Sequence, residues 1–273
     1  MISIKKDAKG NLKEATGVRS RANSMYKPGQ TDTFKISRSK FSDYMSCKRC
    51  FYLDRVKGLA SPGMPGWSLN IAVDDLLKKE FDEYRKKQQP HPIFKEYNLN
   101  FIPYEHEDLD KWRNSLVGGI SYHDQDTNLI IQGGVDDIWY DLDTKKLVVL
   151  DYKAQSSNQP VEQESYLESV YHQGYKMQLD FYVYVLRQMG FDVNDDTYFM
   201  VCNGEKTPDA FNNQLIFTSK LIKYKTNTEW ISGEIKSMKA LLDSKEVPGR
   251  NPYCENCAYI EKGTELGNTK DIL

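Results

Sequence analysis

Apolar residues between Leu129 and Gln155 fall in short runs of strand length. Leu129-Ile130-Ile131 and Val135 through Tyr140 form one side, Leu147-Val148-Val149-Leu150 forms the other, and the turn-forming Asp141-Leu142-Asp143-Thr144-Lys145 lies between them. The pattern predicts an antiparallel hairpin. If it is symmetric about Asp143-Thr144, Ile138 opposes Val149, Tyr140 opposes Leu147, and Asp136 opposes Asp151. Strand side chains alternate between faces, so Lys153 shares the face of Asp151 while Asp137 and Tyr152 point away. Opposed carboxylates repel unless a cation or a proton lies between them. A solvated edge hairpin is the plain alternative, but both strands are too apolar on both faces for an exposed edge.

Helical periodicity predicts helices over 39–56, 67–88, 163–189 and 228–244. In the second, Leu69, Val73, Leu77 and Phe81 form the core face. In the third, Val170, Met177, Phe181 and Val185 make an apolar stripe, with Tyr171, Tyr175, Gln178 and Tyr182 on a neighbouring face. Residues 197–202 and 214–218 read as a further strand pair joined by the polar 203–213 loop, and 60–66 reads as a turn-rich link. Residues 1–30 are expected to be an arm or loosely attached hairpin, 31–260 the main domain, and 261–273 a frayed polar tail. Strands followed by a long helix and another strand favour an α/β fold with a mixed sheet flanked by helices.

An Asp followed by Asp-x-Lys on one surface suits phosphodiester hydrolysis. Hard carboxylate oxygens select Mg²⁺ or Mn²⁺, which acidify a bound water and polarise the phosphate, and a lysine adds a point charge at the scissile group. A second constellation is Cys47-Lys48-Arg49-Cys50 with Cys254-Glu255-Asn256-Cys257. Two C-x-x-C pairs can complete a four-thiolate site, and pairs this distant would fasten the two ends of the chain together. Spacing does not separate zinc from an iron–sulfur cluster, and four ordinary buried cysteines are the plain alternative. Cys202, in the apolar run Tyr198-Phe199-Met200-Val201, reads as a core residue.

Gly133-Gly134-Val135-Asp136-Asp137-Ile138 and Leu150-Asp151-Tyr152-Lys153 resemble the G-x-x-D and D-x-K elements of the PD-(D/E)XK nuclease superfamily. Gln178-Leu179-Asp180-Phe181-Tyr182 resembles the Q-x-x-x-Y helix motif of its RecB-like branch. The run from Ile36 to Cys47, continuing into Phe51-Tyr52-Leu53, resembles the opening helix and C-x-x-x-F-Y-L of RecB-like and CRISPR-associated exonucleases. The resemblance implies a restriction-endonuclease-like core, Asp136, Asp151 and the Tyr152 backbone carbonyl as metal ligands, Lys153 as catalytic, and Gln178 and Tyr182 as positioning groups. Where much of the branch carries a ligand histidine, this chain has Asp74, with Asn70 and Glu80 as further candidates. The resemblance also implies a [4Fe-4S] cluster at Cys47, Cys50, Cys254 and Cys257, with Zn²⁺ as the alternative. In the family one cysteine usually lies upstream and three downstream; here the division is two and two.

By the same resemblance the expected activity is that of a Mg²⁺/Mn²⁺-dependent deoxyribonuclease, an exonuclease on single-stranded DNA ends, working with recombination or replication proteins. A nucleic-acid-binding or assembly module without cutting, and a zinc-clasped structural protein, are the alternatives. Composition sets few further limits. The chain has 273 residues, 39% hydrophobic, with 37 basic and 39 acidic residues and a formal charge of −2. That balance neither advertises nor excludes a nucleic-acid partner, because a bound cation reverses the sign at an acidic centre. Arg38, Lys40, Lys48, Arg49 and Arg55, interleaved with Phe41, Tyr44 and Tyr52, are candidate backbone contacts, with a solvated helix face as the equal alternative. No long apolar run or signal pattern is present, so neither a membrane partner nor secretion is expected, and thiols free for metal fit a cytoplasmic setting.

Overall fold

The computed structural model describes residues 3–64 and 66–268. The first two residues of the expected arm, Pro65 of the turn-rich link and residues 269–273 of the expected tail lie outside the described residues. The chain divides into two compact units, one from its two ends with a short 124–129 segment, the other from 67–123 and 130–231.

In the first unit, β1 (Phe34–Ser37) leads into α1 (Arg38–Ser46), whose N-terminus is capped by the Ser37 hydroxyl accepting from the Lys40 N–H. The helix expected over 39–56 is broken: Cys47 is extended, at φ −157° and ψ 104°, and starts α2 (Lys48–Arg55) in a new direction. The expected aromatic contacts are corrected here, because Phe41, Tyr44 and Tyr52 are core residues with 1, 0 and 0% exposure and cannot stack on bases. The Tyr44 hydroxyl donates to Glu234, and that of Tyr52 to the Ser244 carbonyl.

The second unit begins with α3 (Ser68–Lys87), which closes with three basic residues in its last turn and Gln88 in the left-handed region. After α4 (Pro92–Glu96), β2 (Phe101–Pro103) and α5 (Leu109–Arg113) come β3 (Ile120–Asp124) and β4 (Leu129–Gly133), which hydrogen-bond to each other. The chain then leaves that pair at Gly133–Asp136 and enters a different sheet as β5 (Asp137–Asp141), so the expected single strand is two. The glycines permit the change. A side chain on Gly119 would strike the Gly133 carbonyl, and one on Gly134 would press on Ser115 and the Arg113 carbonyl.

β5 returns through a tight turn into β6 (Leu147–Gln155). Asp141 builds that turn, its carboxylate accepting from the Asp143 and Thr144 N–H groups and the Thr144 hydroxyl, with Lys145 at φ 61°. The resulting register pairs Ile138 with Val149 and Tyr140 with Leu147, as the sequence symmetry predicts. From β6 the chain crosses through α6 (Gln163–Glu168) and α7 (Gln173–Gln188) to β7 (Asp196–Gly204), parallel to β6, and returns antiparallel as β8 (Phe217–Lys225). The five-stranded order is β2-β5-β6-β7-β8, a mixed sheet.

α3 and α7 both contact β6, which explains its unbroken apolar run. On one face Val148, Leu150 and Tyr152 pack with Trp139, Met200 and Leu221 against Leu77 and Phe81 of α3 and Phe94 of α4. Leu69 is 58% exposed rather than part of that core face. The long helix expected over 163–189 is interrupted at Ser169, which takes an extended ψ of 128°, and this leaves Val170 78% exposed, off the stripe it was expected to join. The strand expected at 214–218 starts later, because Leu215 and Ile216 stay exposed and β8 buries Leu221 and Ile222. The first unit closes with α8 (Ile231–Asp243) and α9 (Glu255–Asn268), the latter running helical through much of the expected frayed tail.

Asp137 holds the α3 face together. It is fully buried and accepts from Arg85 Nη2 at 2.5 Å, Arg113 Nη2 at 2.6 Å, the Ile138 N–H at 2.9 Å and the Tyr152 hydroxyl at 3.1 Å. Asp82 binds both guanidinium groups from the other side. Asp137→Asn would leave two buried cations short of an anion, and the expected cost is about 3–5 kcal/mol in urea unfolding. A loss below about 1 kcal/mol would mean that solvent already screens this network.

Candidate active site

Asp136 occupies the bend one residue before β5. Its Oδ2 accepts from the Tyr152 N–H at 2.8 Å, which sets it beside Asp151 on the face opposite Asp137 and the Tyr152 ring. Asp151 is fully buried and Asp136 is partly buried. Burial first, and then the neighbouring Asp151 charge, push the Asp136 carboxyl up to about 7. Asp151 Oδ1 accepts from Gln178 Nε2 at 2.6 Å, whereas the buried Oδ2 accepts no well-aligned hydrogen bond and instead forms an ion pair with the Lys153 ammonium. Burial works against that ammonium, but Asp151 and Asp136 hold it above the ordinary lysine range. Hairpin register, strand alternation and one helix face therefore bring Asp136, Asp151, Lys153 and Gln178 together.

Gln178 and Tyr182 lie one turn apart on α7, and Gln178 Nε2 is 3.0 Å from the Tyr182 hydroxyl. Asp74, on α3, lies near enough that Asp136 joins burial in raising its carboxyl, while Lys78 one turn on opposes the rise from 2.5 Å. The other two candidates on α3 are otherwise engaged: Asn70 donates to the Ala154 carbonyl at 3.0 Å, and Glu80 binds His91 Nε2 at 2.8 Å.

The structure adds three residues to those the sequence suggested. Lys78 was legible as the i+4 partner of Asp74. Tyr175 lies on the expected polar helix face and receives the Lys153 ammonium over its ring at 4.6 Å from the centroid. Tyr166 is buried with its hydroxyl unpartnered among the described residues, and nothing in its helical context signalled this.

The residues fit a hard divalent cation. Asp136 raises the Asp74 carboxyl through its charge, one Asp151 oxygen is buried without a well-aligned donor, and burial together with the Asp151 charge drives the Asp136 carboxyl toward its protonated form; hard oxygens in this state suit Mg²⁺ or Mn²⁺.

In the first unit, Cys47 begins α2 and Cys50 lies in its first turn; Cys254 immediately precedes α9 and Cys257 lies in its first turn. The four sulfurs all lie within 4.8 Å of one another, a group able to hold a metal ion. Burial opposes ionisation of Cys47, yet the Cys50 and Asn251 N–H groups bring its thiol to about 7, whereas burial and the neighbouring thiols push Cys50 up. Cys202 stands apart in the second unit's core, its sulfur 3.3 Å from the Ser219 hydroxyl. Among the described residues no helix is long and apolar enough to cross a membrane.

Comparison with known proteins bears on this arrangement. The family model of the PD-(D/E)XK nuclease superfamily matches residues 68–261, a span holding the carboxylates, Lys153, Gln178, Tyr182, Cys254 and Cys257. No curated protein matches the chain. A solved structure from Eubacterium rectale, described as "Putative exonuclease", is 12% identical over 82% of this chain and 87% of that one, with a TM-score of 0.39. With the family model covering most of its length, the chain belongs to the PD-(D/E)XK nuclease superfamily.

Proposed function

We propose that the protein is a divalent-metal-dependent deoxyribonuclease acting on single-stranded ends. The observation that carries this reading is Asp136 held beside the buried Asp151, with the Lys153 ammonium against the Asp151 oxygen that lacks a well-aligned donor. Asp136, Asp151, the Tyr152 carbonyl and Asp74 would hold Mg²⁺ or Mn²⁺, which would supply an acidified water and charge for the phosphate. The chain's own groups do the rest. Lys153, paired with Asp151, is the group assigned to orient the attacking water and to balance charge that develops on the phosphate oxygens. Gln178 fixes the rotamer of Asp151 by its 2.6 Å bond, and Tyr182 fixes Gln178 in turn, so both are positioning residues. Asp74 is a competent oxygen donor where much of the branch has histidine, and it biases the site toward a hard ion.

The preference for DNA, for single strands and for ends comes from the family resemblance. Recombination or replication proteins as partners, and a cytoplasmic setting, have the same origin. Labelled linear and circular single strands, each incubated with Mg²⁺ or Mn²⁺, test them together. Cutting of linear but not circular strands is expected. Lys153→Ala should lower the rate by about a hundredfold or more with the circular dichroism unchanged. Equal cleavage by the variant would remove Lys153 from the chemistry.

A second outcome follows from Asp136. A carboxyl raised to about 7 in the folded protein and near 3.9 when unfolded favours the metal-free fold while protonated. That contribution is complete below the unfolded value and fades as pH rises through about 7. A cation must displace the same proton, so its binding strengthens over this interval. At one fixed Mg²⁺ concentration, the rise in melting temperature should be larger at pH 8 than at pH 6, and Asp136→Asn should abolish the difference. A metal-induced shift that does not vary with pH would count against Asp136 as a ligand.

A further inference from the structure

The four-cysteine group does not fit the cluster that the family resemblance implies. In a [4Fe-4S] cubane each thiolate binds a different iron, the cage lies between them, and neighbouring thiolate sulfurs stand roughly 6 Å apart. Here Cys47 and Cys257 are 3.7 Å apart at sulfur, Cys50 and Cys254 3.5 Å, Cys50 and Cys257 3.5 Å, and all four lie within 4.8 Å of one another. One ion bound by four thiolates at about 2.3 Å places its sulfurs about 3.8 Å apart at the corners of a tetrahedron. The spacing matches the single ion. It is also too long for sulfur–sulfur bonds, and all four cysteines are free thiols.

We infer that Cys47, Cys50, Cys254 and Cys257 form a mononuclear, tetrahedral zinc site rather than an iron–sulfur clasp. Local backbone geometry supports this. Each C-x-x-C straddles a helix start, so one sulfur leads α2 or α9 and the other sits in its first turn. Four thiolates around a divalent ion carry a net charge of −2, which the N-termini of α2 and α9 help to offset. The division of two cysteines and two has the same reading, because two such turns facing one another make a tetrahedron with no fifth sulfur. Soft donors exclude Mg²⁺ and Ca²⁺ from this place. Zinc here binds segments more than 200 residues apart in sequence, so it fastens the chain's ends within one unit. None of this depends on the nuclease reading.

The test uses the full chain purified anaerobically, with metal and acid-labile sulfide measured directly. About one zinc per chain, no sulfide, and the visible absorption of tetrahedral thiolate coordination after exchange with Co²⁺ are expected. Cys254→Ser should lose zinc to a chelator that wild type resists, Cys202→Ser should retain it, and chelation of the wild type should lower its melting temperature. Iron in any form, acid-labile sulfide, or metal-free disulfides in the anaerobic protein would overturn the assignment. Because wild-type metal content is itself decisive, misfolding of Cys254→Ser would not rescue or defeat it.

Discussion

Two carboxylates held against each other, Asp151 fully and Asp136 partly buried, govern the second unit. The Asp141 turn sets the β5–β6 register, and that register with the Tyr152 N–H bond sets Asp136 beside Asp151. For ionised groups about 5 Å apart at an effective dielectric near 20, the mutual repulsion is about 3 kcal/mol. It is a large fraction of the stability of a typical domain. The neighbouring groups read as responses to it: a lysine on Asp151, a second lysine on Asp74, a glutamine donor, and an Asp136 carboxyl that keeps its proton to about pH 7.

Asp137 provides the internal control. It is the next residue, more deeply buried, and it faces the other side of the sheet, where Arg85, Arg113 and the Tyr152 hydroxyl surround it. Its charge is answered by the protein, so its role is architectural. On the Asp136 side the protein supplies less positive charge than the carboxylates require, and that deficit is what a bound cation would remove. The cysteine group in the first unit follows a different chemistry. Its donors are soft sulfurs, whereas those of the second unit are hard oxygens, so the two groups suit different ions.

Much of this was legible in the sequence for a physical reason. A hairpin symmetric about Asp143-Thr144 has its register set by arithmetic, and alternation then assigns Asp151, Lys153, Asp137 and Tyr152 to their faces. The i, i+4 spacing of Gln178 and Tyr182 likewise survives in α7. What was not legible depends on single backbone torsions or on distant partners. One extended residue at Cys47 splits an apparently continuous helix, and another at Ser169 removes Val170 from its stripe. Phe41, Tyr44 and Tyr52 alternate with cations in a way that suggests a nucleic-acid surface, yet burial made them core. Glu80 had ligand chemistry, but His91, 11 residues away, claimed it. The sulfur spacing of the cysteine group is invisible in C-x-x-C itself and emerges only when the two turns meet.

Crystals of the full chain soaked in Mn²⁺ and measured for anomalous scattering test the central claim most directly. A manganese peak within coordination distance of both Asp136 and Asp151, absent from Asp136→Asn crystals, is the expected result. A peak bound elsewhere, or Asp136 and Asp151 remaining paired to lysine and proton at saturating Mn²⁺, would contradict it.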